Sequence, residues 1–252
     1  VDWSTFFYGE KNSTAWGWTW VLDLDIDDED NVYITGMTNE RYPYDPDAYD
    51  TSVNAQYDAY VCKLSPRGDS VLFFSYMGGN SWEYGLSVSV NSQQEATLSG
   101  ITMSKDFPVT PGAFQSKGKT CSWGWCYNGF VTKFNKSGTG LIFSTYLGRS
   151  TGNWSDWIRN MTLNDNGDIY LVGNTQSTDF PVTSDAYQKT YKGGNGTWYA
   201  GDAFLTILKK DGGSLIYSTY LGGTDDEIGY DLFLNEDGEI YVVGSTKSNN
   251  FP

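Results

Sequence analysis

The C-terminal stretch IYSTYLGGTDDEIGYDLFLNEDGEIYVVGSTKSNNFP, residues 216–252, decides the fold, because each of its phrases recurs earlier in the chain. IYSTYLGG (216–223) returns as STFFYGE (4–10), LFFSYMGG (72–79) and IFSTYLGR (142–149), with Gly9, Gly78, Gly148 and Gly222 spaced by 69, 70 and 74 residues. EIYVVG (239–244) returns as NVYITG (31–36), EATLSG (95–100) and DIYLVG (168–173). A third phrase appears as DAYVCKL (58–64), NGFVTKF (128–134) and DAFLTIL (202–208). Between the second and third lie YPYDPDAY (42–49), FPVTPGAF (107–114) and FPVTSDAY (180–187), and Phe251-Pro252 opens a further copy. Self-similarity at a fixed period marks a repeat architecture.

Each phrase alternates β-branched and aromatic residues between Gly, Asn, Asp or Ser, which is the strand signature. No stretch carries the 3.6-residue period of a helix. Each repeat therefore holds four strands, here a to d in chain order. The a–b turns are Asp27-Asp28-Glu29-Asp30, Asn164-Asp165-Asn166-Gly167 and Asn235-Glu236-Asp237-Gly238. The c–d turns are Ser65-Pro66-Arg67-Gly68, Asn135-Lys136-Ser137-Gly138 and Lys210-Asp211-Gly212-Gly213. Asn, Asp and Gly suit the positive φ angles of hairpin turns. A four-stranded antiparallel unit of about 70 residues reads as a propeller blade. The rival is a row of independent sandwiches, but one repeat could not bury two sheet faces alone. The expected fold class is all-β, a β-propeller of about 3.5 to 4 such blades in one domain or propeller segment over 1–252. The blades fall at about 20–76, 85–146 and 158–220, after an orphan strand at 4–8 and before a partial blade at 229–252.

These phrases resemble the bacterial and archaeal seven-bladed β-propeller repeat, SBBP, whose pattern runs roughly STYLGG…G…I.VD..GN.YVTG.T.S.DFP.T.GAFQ…DAFVTKL. Residues 216–252 match it nearly end to end, and the resemblance extends over the chain, most weakly at 10–57. It implies a large secreted or surface protein, and it leaves the activity undefined. The repeat is longer here than in the family pattern, through its loops.

The N-terminal strand d and the C-terminal a–b pair could share a blade, but strand c of that blade is missing, and unpaired edges invite association. Three explanations follow: one stretch of a larger propeller, a small ring completed by a strand beyond residue 252, or a strand donated by a neighbouring copy.

Composition excludes several functions. With 31 acidic and 16 basic residues the net charge is −15, which repels phosphate backbones, so no nucleic-acid partner is expected. No run of 18 apolar residues exists, so no membrane insertion is expected. The absence of histidine removes Ser-His-Asp and Cys-His catalysis and histidine-ligated zinc. Two carboxylates could still serve a glycosidase, but no pair is marked out, and the chain reads as non-catalytic. Cys121 and Cys126 in CSWGWC suit a small local disulfide, which would indicate an oxidising compartment, with two free thiols as the alternative. Cys62 reads as a buried inert thiol.

The long loops carry the candidate site. If strand a is innermost, the d–a and b–c loops share one face, and nine of the ten tryptophans fall in them. Trp16, Trp18, Trp82, Trp123, Trp125, Trp154 and Trp198 are the ligand-binding candidates. Trp20, Tyr84 and Trp157 align just before strand a and read as structural. Aromatic faces between Asp and Asn suit pyranose rings, and Trp and Tyr suit protein hot spots equally. Phe107 with Phe114, and Phe180 with Tyr187, read as anchors that fold each b–c loop on itself. Asp23, Ser87, Asn160 and Asp231 align, as do Asp25, Ser89, Thr162 and Phe233, and the small polar residues among them read as the lining of a water-filled channel, with a cation site as the alternative. Asp225, Asp226 and Glu227 are the candidates for calcium; no other cofactor is expected. The loop sequons at Asn12, Asn153 and Asn195 are the glycosylation candidates, whereas Asn160 lies within a strand.

The expected function is therefore an extracellular or cell-surface binding propeller for a glycan or a surface protein. The alternative is a structural subunit of a filament, surface layer or adhesin stalk, whose partners would be copies of itself.

Overall fold

The computed structural model describes residues 4, 5, 7, 9, 17–42, 46–54, 56–119, 126–148, 155–193 and 201–252. Among these residues all regular structure is β. The first sheet holds β1 (Thr19–Ile26), β2 (Val32–Thr38), β3 (Asp58–Leu64) and β4 (Val71–Met77). The second holds β5 (Glu83–Val90), β6 (Ala96–Thr102), β7 (Asn128–Phe134) and β8 (Leu141–Leu147). The third holds β9 (Asp156–Leu163), β10 (Ile169–Thr175), β11 (Asp202–Leu208) and β12 (Leu215–Leu221). β13 (Glu227–Leu234) pairs with β14 (Ile240–Thr246) alone. All pairs are antiparallel and follow chain order, so the four-stranded blade is the structural unit.

The turns have the backbone their residues demand. Asp30, Gln94, Gly167 and Gly238 take φ of 62, 62, 84 and 78° in the a–b turns, and Gly68, Gly138 and Gly212 take 64, 72 and 71° in the c–d turns. An Asx side chain closes each a–b turn, as when Asn91 Oδ1 accepts the N–H of Gln93 and of Glu95. Strand a begins at 19, 83, 156 and 227, slightly earlier than the spacing suggests. The reason is a side-chain bridge at its head: Thr102, Thr175 and Thr246 on strand b donate their hydroxyls to Glu83, Asp156 and Glu227.

Neighbouring sheets meet through strand a: β1 and β2 pack on β5, β5 and β6 on β9, and β9 and β10 on β13. Strand a is thus innermost. One apolar core lies between the first two blades, where Tyr33, Val61 and Phe73 meet Val88 and Leu98. A second lies between the next two, where Val131 and Phe143 meet Ile158, Met161 and Leu171. The sheets do not close into a ring, so the number of blades in a complete propeller does not follow from them. Of the expected orphan strand 4–8, Ser4, Thr5 and Phe7 are described and lie outside any named strand, and Phe6 and Tyr8 lie outside the described residues. Phe7 stacks on Tyr42 at 4.7 Å and Tyr60 at 5.6 Å, and Glu40 accepts the Gly9 N–H.

The anchors of the b–c loop do not pair with each other. Phe107 packs on Phe130 (4.6 Å) and Tyr146 (5.7 Å), and Phe180 on Phe204 (4.5 Å) and Tyr220 (6.0 Å), all within one blade. The Tyr220 hydroxyl accepts the Phe180 N–H and donates to the Ser177 carbonyl; Tyr76 does the same for Tyr42 and Glu40. The loop then runs along strand d, where Thr183 N–H bonds Ser218 and Gln188 N–H bonds the Thr219 hydroxyl. The second anchor reaches the next blade: Tyr49 and Phe114 donate N–H to the carbonyls of Gly138 and Gly212. A Cβ at either glycine would strike the ring of Phe73 or Phe143 of the blade before, so the turn fits only as glycine. The loop's extended path sends its two anchors to different blades, which is why they cannot meet.

Replacing Tyr220 by Phe strips a buried N–H and a buried carbonyl of their partner and should cost about 1–3 kcal/mol in urea unfolding. The Tyr217 hydroxyl accepts the N–H of Tyr187, which is 67% exposed, and Tyr217→Phe should cost less than about 0.5 kcal/mol.

Candidate functional site

Strand a carries a β-bulge in every blade. The register slips between Val21 and Asp23, Gly85 and Ser87, and Gly229 and Asp231, and in the third blade between the partners Val172 and Gly173. The extra residues are Leu22, Leu86, Tyr230 and Arg159. The residue before each bulge faces the preceding blade: a Cβ on Gly85 would meet Thr35, and one on Gly229 would meet Val172. The residue after it faces the following blade. Asp23 accepts the Ser87 hydroxyl (2.8 Å) and the Val88 N–H (2.9 Å), Asp25 accepts the Val90 N–H (2.8 Å), and Ser87 accepts the Met161 N–H (3.3 Å). This corrects the channel reading of Asp23, Asp25 and Ser87: they bind one blade to the next. With both faces taken, the bulged residue is left at the free inner edge, where bulges characteristically re-aim a side chain.

At this inner rim the third blade is unlike the others. The Arg159 guanidinium lies 4.9 Å from the Trp157 ring and 5.9 Å from the Tyr230 ring, and its Nε–H donates to Asn174 Oδ1 at 3.0 Å. Burial pulls its pKa down, opposed by Tyr230. Trp157 is in turn packed on Tyr127 at 4.9 Å.

The tryptophan candidates divide. Trp18, just before β1, is 49% exposed, and its N–H donates to Asn39. Trp82 precedes β5, meets Tyr57 edge-on at 5.7 Å and donates its Nε1–H to Gln56. Trp20 and Trp157 lie inside strand a rather than before it, and Trp20, in the first blade, is 48% exposed. Trp16, Trp123, Trp125, Trp154 and Trp198 lie outside the described residues, as do Asn12, Asn153 and Asn195. Cys126 is disulfide-bonded, Cys62 is a buried free thiol whose pKa burial drives up, and Cys121 lies outside the described residues.

The calcium candidates are engaged separately. Asp225 is exposed and accepts the Asp226 N–H, Asp226 pairs with Lys247 at 3.0 Å, and Glu227 accepts the Gly223 N–H and the Thr246 hydroxyl. Among the described residues no group of three or more acidic or Cys side chains is placed to hold a metal ion. Glu227 belongs instead to the buried carboxylates at the blade junctions. Glu83, Asp156 and Glu227 head strand a; Asp58 and Asp202 head strand c. In the middle junction, where Asn128 heads strand c, Lys119 pairs with Asp156 at 3.2 Å with both side chains buried. Burial raises the pKa of Asp202 to about 6, with Glu227 adding to the rise against hydrogen bonds from Lys192, Gly193 and Gln188.

Residues 142–181 and 216–252 match the SBBP family, described as a beta-propeller repeat. These two stretches read as SBBP beta-propeller repeats. Each SBBP match runs from a strand d through the next a–b pair to the Phe-Pro anchor, so the repeat is cut across blades rather than along one. No curated protein matches the chain. The bulge and Arg159 were missed in the sequence, although a signal existed: Leu22, Leu86, Arg159 and Tyr230 align beside the polar positions, and only one of them is charged.

The Asp202 pKa lies above its ordinary 3.8. The neutral acid is therefore favoured in the folded chain, and its stabilisation is complete below about 3.8 and lost as pH rises to about 6. Asp202→Asn should remove that loss, so stability relative to the unsubstituted chain should improve by roughly 2–3 kcal/mol between pH 4 and 6 in urea titrations.

Proposed function

We propose that this chain is a non-catalytic binding module of an extracellular or cell-surface protein, which takes glycans through the aromatic side chains on its d–a and b–c face. The observation that carries the reading is the half-exposure of Trp18 and Trp20, two large rings two residues apart where the loop enters β1. An aromatic face left in water loses free energy that a pyranose C–H face can recover. Asn39, beside Trp18, supplies an amide of the kind that binds hydroxyls. The non-catalytic reading is supported by the carboxylates at the blade junctions: Glu83, Asp156, Asp202 and Glu227 are at most 1% exposed and hold the scaffold. No cofactor is proposed.

Trp18→Ala and Trp20→Ala should each weaken glycan binding about tenfold, measured by calorimetry on an array-selected sugar, with the unfolding midpoint nearly unchanged. Unaltered affinity in both would remove this face from the reading.

A further inference from the structure

Arg159 is the only basic residue in the four inner strands. Its Nε is satisfied by Asn174, but its two Nη groups have no hydrogen-bond partner among the described residues, and no carboxylate there pairs with it. This is not for want of acids, since the chain has 31 of them. The inner-strand acids are engaged elsewhere: Glu83, Asp156 and Glu227 with the threonines of strand b, Asp23 and Asp25 with the second blade, and Asp231 with the Leu232 N–H. The guanidinium is instead flanked by two rings, Trp157 and Tyr230, which remove water from its faces and leave its edge open. A partly buried cation whose outer N–H groups lack an acceptor is a costly arrangement unless something supplies one. The two Nη groups form a planar fork that matches a carboxylate in two parallel hydrogen bonds. The net charge of −15 does not forbid this, because charges farther than about 8 Å are largely screened at physiological salt.

We propose that Arg159, Trp157 and Tyr230 form a recognition point for a carboxylate-bearing saccharide of the uronic-acid type. The carboxylate takes the Nη fork, and the sugar ring lies against the exposed Tyr230. A saccharide is favoured over an acidic peptide because the fork is bordered by flat aromatic faces. The inference rests on the glycan reading above and narrows it to acidic sugars.

The test is a titration of the whole chain with tetragalacturonate and with its methyl ester, followed by tryptophan fluorescence, in the unsubstituted protein, Arg159→Gln and Arg159→Lys. The acid should bind at least about tenfold more tightly than the ester, Arg159→Gln should abolish the preference, and Arg159→Lys should keep part of it. Equal binding of acid and ester overturns this inference and leaves the glycan reading standing. Binding of neither also overturns this inference, and the glycan reading then stands or falls on the array alone. A preference for the acid that survives in a folded Arg159→Gln variant also overturns it, as does Arg159-dependent binding of a tetraglutamate peptide but of no saccharide.

Discussion

The fold depends on one repeated clamp, the buried tyrosine of strand d that holds the start of the b–c loop. Its ring packs on the Phe-Pro anchor, as Tyr146 does on Phe107, and its hydroxyl bonds the loop backbone. Strand d is the outer edge of each blade, and an uncovered edge would leave its backbone groups to other chains. The clamp turns the loop along that edge, so the Ser and Thr beside the tyrosine become its partners: Ser144 donates to the Pro108 carbonyl, and Thr145 accepts the Gln115 N–H. Once the loop is fixed, its far end meets the glycine turn of the next blade. A single constraint thus protects the edge and sets the spacing of the blades.

Polar groups then join the blades where the apolar cores end. Lys63 pairs with Asp27 of its own blade at 3.0 Å and donates to Gln94 of the next at 2.8 Å. Burial alone would push the Asp27 carboxyl up, but hydrogen bonds from Asn31 and Lys63 hold it near 2. At the inner edge Asp23 and Asp25 bind backbone N–H groups of β5 directly. With both faces of strand a consumed in this way, only the bulged residue is free to differ between repeats, and there the chain places two leucines, an arginine and a tyrosine. The rim is where variation costs the scaffold least.

Much of this was legible in the repeats. The Asn, Asp and Gly of the turns were read as positive-φ positions and are so, because that preference is local. The order of strands followed from the alternation of β-branched and aromatic residues. The pairing of Phe107 with Phe114 was misread, because adjacency in a motif says nothing of how far an extended loop travels. The aligned Asp23 and Asp25 were read as channel-lining, because a bulge shifts which face a residue takes and leaves little trace in a period-2 pattern.

The sequence by itself determined the β-propeller class, the four-stranded unit and the turn chemistry. These rest on local backbone preference, on composition and on a period that survives without knowledge of contacts. Only the tertiary structure decided that the Phe-Pro anchor belongs under a tyrosine of its own blade while the following aromatic belongs to the next. It alone also singled out Arg159, set between Trp157 and Tyr230 on strands of different blades, for the inner rim. Both are long-range pairings, made when blades stack, and residues far apart in the chain acquire a common surface only then.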